Sequence, residues 1–265
     1  MFKGLAVIFA VLSLCACLSL GNGTESPPAG DGVTQSTVEK IDTDYWITPP
    51  KSNEIVIIGV SNFQRNREEE IASARTDAAR KVSMFYGVGA LVENIQNISG
   101  FLDHSTESNV IVEYSDQIDQ YIDKLNFNPE SDVYVRSNGV FVRFTYPASF
   151  PGNINLNFGK NANGSPRWTT SPPGDIGGYV VGVGFSRRHA RFRDAVLKSA
   201  ESAVGSIVSN LSTSLQAKDT ATAQQGATFI HHQSQGKISG FLILETWIDP
   251  STENVWTLAV ARNAN

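Results

Sequence analysis

The sequence contains an internal duplication, and this feature constrains the fold more than any other. One copy reads DYWITPPKSNEIVIIGVSNFQRNREEEIASARTDAA, and the other reads PRWTTSPPGDIGGYVVGVGFSRRHARFRDAVLKSAESA. The two copies align when Gly59 is placed on Gly182, a shift of 123 residues that also places Ala72 on Ala195. A period of this length is too long for a solenoid repeat, and it predicts two domains of about 100 residues each.

Each copy predicts the element order strand, helix, strand, strand. The β-branched runs at residues 55–60 and 179–183 indicate short buried strands. Asn138-Gly139 is a strong signal for the turn of a closing hairpin, and residues 249–254 form the corresponding turn in the second copy. The predicted fold class is therefore α+β, with two tandem domains that each cover an antiparallel hairpin sheet with an alanine-rich helix.

Apolar residues recur at helical spacing in both copies. In the first helix they are Ile71, Ala74, Ala78, Val82 and Phe85. In the second they are Phe192, Val196, Ala203, Ile207 and Leu211, and the small polar Ser199 occupies one further position of the same face. Asn66 and Glu69 form a capping box at the start of the first helix. Between helix and hairpin, residues 109–125 are open to a further helix, and residues 218–235 are predicted to be a polar, mobile segment.

The N-terminus has the order of a secretory signal. Lys3 precedes an apolar run from residue 4 to residue 14, which is too short to span a membrane. The following letters LCAC, residues 14–17, resemble the processing box of bacterial lipoproteins, which implies cleavage after residue 16 and a lipid on Cys17. The alternative is an ordinary secretion signal whose cysteines are small apolar residues. A chain lipidated at Cys17 retains no free thiol, because the sequence has two cysteines and the other leaves with the signal.

These features divide the chain into five parts. We predict a signal peptide at 1–16, a flexible tether at 17–43, a first domain at 44–147, a linker at 148–167 and a second domain at 168–265. The residue after the lipidated cysteine is leucine and not aspartate, which by resemblance to known sorting rules favours the outer membrane.

Several motifs together resemble the Lpp-twenty lipoprotein family, which includes a flagellar lipoprotein. They are a Trp-x-x-Pro-Pro entry, a strand ending Gly-Val-Gly, an alanine-spaced helix and a closing pattern of Glu245, Trp247, Asp249, Pro250, Val255, Leu258 and Ala259. The likeness covers both copies and is better in the second, because the first has Val60-Ser61 where the family glycines fall. The resemblance implies a non-catalytic domain on an envelope lipoprotein, with no cofactor and no catalytic residue.

The residues themselves also argue against an enzyme, a metal and a nucleic-acid partner. The formal net charge is −5, which disfavours nucleic acid. Gly182 and Gly184 lack the third glycine of a dinucleotide fingerprint, so close packing of helix on strand explains them better than a nucleotide. His231 and His232 are adjacent and would point to opposite faces of a strand, which makes a poor metal chelate.

One charged feature remains to be explained. The second helix is predicted to begin with four arginines, Arg187, Arg188, Arg191 and Arg193. The equivalent start of the first helix carries three glutamates, Glu68, Glu69 and Glu70. A helix start favours acids, so the arginines either splay into solvent over apolar surface or contact something acidic.

The sequence therefore leaves two alternative functions. The first is a structural or assembly lipoprotein whose partners are the membrane, through its anchor, and itself or other envelope proteins. In this hypothesis the basic end of one molecule meets the acidic end of the next in a head-to-tail ring or filament. The second is an envelope-anchored binding module whose arginine cluster captures an anionic ligand or an acidic partner.

Overall fold

The computed structural model describes residues 44–96, 106–150, 154–216 and 230–262. The proposed lipidation site, the signal and the tether lie outside the described residues. In chain order the elements are β1 (Tyr45–Ile47), β2 (Ile55–Ser61), α1 (Arg67–Tyr86), β3 (Val88–Gln96), β4 (Thr106–Tyr114), α2 (Asp119–Ile122), β5 (Val133–Arg136), β6 (Gly139–Tyr146), β7 (Val180–Ser186), α3 (Phe192–Gln216), β8 (Ile230–Ile248) and β9 (Val255–Arg262). A 3-10 turn at Arg167–Thr169 precedes β7.

The named strands form two antiparallel sheets. The smaller sheet has the order β2-β6-β5, and the larger has the order β4-β3-β8-β9-β7 with β1 paired to β8 beside this path. Helix α1 contacts β2 and β6, and α3 contacts β7, β8 and β9. Antiparallel sheets with helices packed on them are an α+β architecture, as the sequence predicts.

The duplication is visible in the strand pairing. In the first copy β6 lies between β2 and β5, and in the second β9 lies between β7 and β8. Strands β2 and β7 begin at residues 55 and 180, and helices α1 and α3 begin at residues 67 and 192, so both pairs are 125 residues apart. The predicted shift of 123 residues is therefore wrong by two, and Gly59 corresponds to Gly184.

Close packing of helix on strand explains both this register and the error. A Cβ on Gly59 would lie 2.1 Å from the carbonyl oxygen of Ala74, and a Cβ on Gly184 would lie 1.9 Å from that of Ser199. Each of these helix residues follows its glycine by 15 positions. Gly182 lies two residues before Gly184 and so on the same face of the strand, which is why the sequence alone could not separate the two alignments.

The predicted helix faces are confirmed. Ala78 and Val82 in α1, and Ala203 and Ile207 in α3, are fully buried. At the start of α1 the backbone N–H of Glu69 donates to Asn66 Oδ1 at 2.8 Å, as the capping box requires. The prediction for the start of α3 is wrong, since that helix begins at Phe192.

The two copies are interlocked rather than merely adjacent. Residues 88–96 of the first copy pair with residues 230–238 of the second, and β1 pairs with residues 245–247 of β8. The β3-β4 hairpin also packs on α3, where a Cβ on Gly205 would lie 2.8 Å from the side chain of Val110. One core cluster accordingly contains side chains of both copies, among them Ala78 and Leu258.

The middle segments agree only in part with their predictions. Of residues 109–125, which left a further helix possible, Asp119–Ile122 form the single-turn helix α2, and the residues up to 114 belong to β4 (Thr106–Tyr114). In the second copy β8 begins at residue 230, so the last six residues of the predicted mobile segment belong to a strand. The preceding residues 217–229 lie outside the described part of the chain.

Candidate functional site

Four loops, two from each copy, meet at one end of the body, which we call the loop end. They are residues 62–66, 137–138, 187–191 and 249–254. The backbone N–H of Arg193 donates to Asn62 Oδ1 at 3.1 Å, so a side chain of the first copy caps the helix of the second. Arg188 N donates to Asn254 Oδ1 at 3.1 Å, and Asn138 Nδ2 donates to Glu253 Oε1 at 3.4 Å. The loop end is therefore built jointly by both copies.

The four arginines of the sequence prediction do not act as one cluster. Arg193 points inward, with its Nε 3.7 Å from Asp77 Oδ1 of the first copy. Arg188 Nε lies 2.9 Å from Glu253 Oε2 at the surface. Arg187 and Arg191 are exposed and make no ion pair with any residue that the structure describes. Two of the arginines thus serve internal contacts, and two remain for an outside partner.

The acidic end divides in the same way. Glu70 is buried, pairs with Arg67 and accepts a hydrogen bond from the backbone N–H of Gln64 at 3.2 Å. Glu68 and Glu69 are exposed. Because Asn62 caps α3 only five residues before α1 begins, the starts of both helices lie at the same end of the body. The basic and acidic segments are therefore neighbours in one molecule and not opposite ends of it.

An aromatic side chain stands among these charges. Phe63 lies in the loop that carries Asn62, and 51% of its surface is exposed. His189 is exposed in the arginine loop. Arginine and aromatic side chains are enriched where proteins bind one another, so the composition of the loop end is that of a contact surface.

Polar side chains of the helices close the free edges of β2 and β7 below the loop end, with buried groups in the first copy and a partly exposed one in the second. Asp77 Oδ2 accepts from the backbone N–H of Val60 at 2.9 Å and from Lys81 Nζ at 2.8 Å, and Lys81 Nζ also donates to the carbonyl of Ile58 at 2.6 Å. In the second copy Ser202 Oγ accepts from the backbone N–H of Phe185 at 3.3 Å.

These caps occupy equivalent places, because 125 residues separate both the strand donors and the helix acceptors. In each copy a helix side chain thus accepts a hydrogen bond from a backbone N–H that could otherwise pair with another strand. No local pattern in the sequence indicates this role of Asp77, because the N–H that it caps lies on a strand 17 residues earlier.

A second buried carboxylate ties the N-terminal strand to the body. Glu245 is fully buried, and its Oε2 accepts hydrogen bonds from the Tyr45 hydroxyl and from Trp168 Nε1. Burial raises the pKa of Glu245, and the two hydrogen bonds partly offset this shift. The sequence analysis placed Glu245 only in a family-like closing pattern and missed this role.

The described part of the chain was also compared with the requirements of a metal site and of a membrane-spanning helix. No group of three or more histidine, cysteine, aspartate or glutamate side chains within it is arranged to hold a metal ion. None of the helices found there combines the length and apolar character needed to cross a bilayer. Gly182 and Gly184 face the backbone of α3 at close range, so packing accounts for both.

Comparison of the chain with protein families, with curated proteins and with solved structures returned no match.

Proposed function

We propose that the protein is a non-catalytic bacterial envelope lipoprotein that works through protein–protein contacts. A lipid on Cys17 anchors it, in the outer membrane, and the loop end joins copies of the chain. The observation that carries this proposal is a group of exposed charges at one end of the body, Arg187 and Arg191 together with Glu68 and Glu69, which make no ion pair with any described residue. The resemblance to the Lpp-twenty family supports the envelope role. We propose with it that the chain has two tandem domains of that type and that it is associated with the flagellum.

The placement of the charges favours a twofold pairing over a head-to-tail ring. Since both signs lie at the same end, two copies that meet by their loop ends can set each basic segment against the other's acidic segment. Phe63 supplies apolar surface to this contact, and the charges at its rim set orientation and encounter rate.

We predict that reversing two charges weakens this association. The variant Arg187→Glu with Arg191→Glu should raise the dissociation constant of the dimer about tenfold or more, because each contact then opposes like charges. Arg188 and Arg193 are left unchanged, since both make contacts within the chain. Sedimentation of the full chain in detergent, at about 0.05 M and about 0.5 M salt, measures the effect, and the wild-type dimer should weaken at the higher salt.

A matched control reverses two cations elsewhere. Lys124 and Lys237 are exposed and lie outside the four loops, and changing both to glutamate alters the net charge equally. If this control weakens the dimer as much as the loop-end variant, net charge and not the loop end governs association. A wild-type protein that is monomeric at both salt concentrations contradicts the assembly role.

A separate prediction concerns the anchor. Replacing Cys17 by serine should abolish incorporation of labelled fatty acid and release the protein from the membrane fraction, because the lipidated thiol is lost. Cys15→Ser is the control and should leave labelling in place. Labelling that survives Cys17→Ser, or that is lost with Cys15→Ser alone, would show that the processing site has been misplaced.

The alternative function is an envelope-anchored module that captures an anionic ligand or an acidic partner. Its support is the exposure of Arg187 and Arg191. The internal use of Arg188 and Arg193 reduces the cluster from four free cations to two, which is why we favour assembly.

A further inference from the structure

A groove opens beside the N-terminal strand, and residues 249–251 of the loop end form one of its borders. Its volume is about 380 Å³, within the range of small-ligand sites. Its walls combine aromatic rings with polar groups, chiefly Tyr45, Trp247, Asp44, Asp249, Lys160 and Asn163. Rings beside hydrogen-bonding groups suit a ligand that has both apolar faces and hydroxyl groups.

The aromatic rings form a row across four neighbouring strands. Tyr45 on β1 lies opposite Trp247 on β8, Trp247 lies opposite Trp256 on β9, and Phe185 on β7 lies opposite Trp256. Residues directly opposite in antiparallel strands present their side chains on one face, so all four rings share a face of the sheet. Each is at least partly exposed, and neighbouring strands place the rings at intervals of about 4.8 Å.

The ring at the groove end of the row is held in place. The hydroxyl of Tyr45 donates to the buried Glu245, which also accepts from Trp168 of the 3-10 turn. Lys160 Nζ lies 5.5 Å from the centre of the Tyr45 ring. Because the hydrogen bond to Glu245 and the neighbouring Lys160 order the Tyr45 ring before a ligand binds, less conformational entropy is lost on binding.

The charges of the groove favour an uncharged ligand. Asp44 is already paired with Arg136, and Asp249 accepts hydrogen bonds from Ser251 and Thr252 that hold the pKa of its carboxyl below the usual value. With Lys160 as the remaining cation, the positive and negative charges balance. A strongly anionic or cationic ligand would therefore gain little here.

We propose that the groove and the aromatic row bind an extended, uncharged oligosaccharide, with pyranose rings stacked on Trp247 and Tyr45 and hydroxyl groups bonded to Lys160 and Asn163. A beta-linked chain is nearly straight and presents flat apolar ring faces at intervals close to the strand spacing. An alpha-linked chain coils and cannot follow the row. This site goes beyond the assembly role, and it shares only residues 249–251 with the loop end.

The test uses the full chain in a detergent that carries no sugar headgroup. Cellotetraose and chitotetraose are the beta-linked probes, and maltotetraose is the alpha-linked one. We expect calorimetry to show binding of a beta-linked tetrasaccharide and at least about tenfold weaker binding of maltotetraose. In NMR spectra the indole N–H signals of Trp247 and Trp256 should shift, while that of the buried Trp46 should not.

Two substitutions separate the site from general effects on folding. Trp247→Leu keeps an apolar side chain but removes the flat ring, and it should weaken binding about tenfold. Tyr86→Leu removes an equally exposed ring that belongs neither to the groove nor to the aromatic row, and it should leave sugar binding unchanged. The proposal is overturned if neither beta-linked probe binds, if maltotetraose binds as tightly, or if Trp247→Leu binds like the wild type while its unfolding transition stays intact.

Discussion

Replacing Asp77 by alanine should lower the free energy of unfolding by about 3–5 kcal/mol, among the largest effects of a single side chain in this fold. Asp77 is buried, and its carboxylate neutralises the buried Lys81 and accepts the backbone N–H of Val60. It also faces Arg193 across the boundary between the copies. The substitution removes the counter-ion of Lys81 and Arg193 and the acceptor of the Val60 N–H. Urea unfolding followed by circular dichroism measures the change.

The duplication provides a matched control for this prediction. Ser202 occupies the equivalent position in α3 and accepts the equivalent N–H, but its hydroxyl is neutral and partly exposed. Ser202→Ala should therefore cost no more than about 1 kcal/mol. The double variant Asp77→Leu with Lys81→Met should recover part of the loss, because it removes both buried charges together. Equal effects of Asp77→Ala and Ser202→Ala would contradict the buried ion pair.

Replacing Gly184 by alanine should destabilise the protein by about 3 kcal/mol or more. The added Cβ would lie 1.9 Å from the carbonyl oxygen of Ser199 and 2.4 Å from the backbone N of Ala203. Both are helix backbone atoms, so α3 must move away from β7 and open the core between them. Gly59→Ala should have a comparable effect in the first copy, where the Cβ would meet Ala74 at 2.1 Å.

Thermal and denaturant unfolding of these variants measure the loss. Gly174→Ala is the control, because its Cβ would meet no atom within 4 Å, and it should change stability by less than about 0.5 kcal/mol. If Gly184→Ala is as stable as Gly174→Ala, the close approach of helix and strand is wrong. If only one of Gly59→Ala and Gly184→Ala is destabilising, the equivalence of the two copies at a shift of 125 residues is wrong.

Local signals in the sequence predicted local structure well. A hairpin does join β5 to β6, although its turn lies at residues 137–138, one residue before the predicted Asn138-Gly139 pair, and the predicted cap and the helix stripes are present in α1 and α3. Each of these depends on residues near one another in the chain. The alignment of the copies was less secure, because Gly182 and Gly184 share one strand face and either could have been the close contact.

Contacts between distant residues could not be predicted. The pairing of β3 with β8 joins residues about 140 positions apart, and no local pattern in VGALVENIQ names its partner. The same holds for Glu245, whose two hydrogen-bond donors come from β1 and from the 3-10 turn before β7. The four arginines looked equivalent in sequence, and only the fold separates the inward Arg193 and the paired Arg188 from the two exposed ones.

The central functional claim is that two loop ends pair with their opposite charges aligned, and a mixing experiment tests it most directly. One variant carries Arg187→Glu and Arg191→Glu, so that positions 68, 69, 187 and 191 are all acidic. The other carries Glu68→Arg and Glu69→Arg, so that all four become basic. We predict by sedimentation that each variant alone is monomeric at low salt and that an equimolar mixture forms a heterodimer as stable as the wild-type dimer. A mixture that stays monomeric while the wild type dimerises, or variants that each dimerise alone, would contradict the claim.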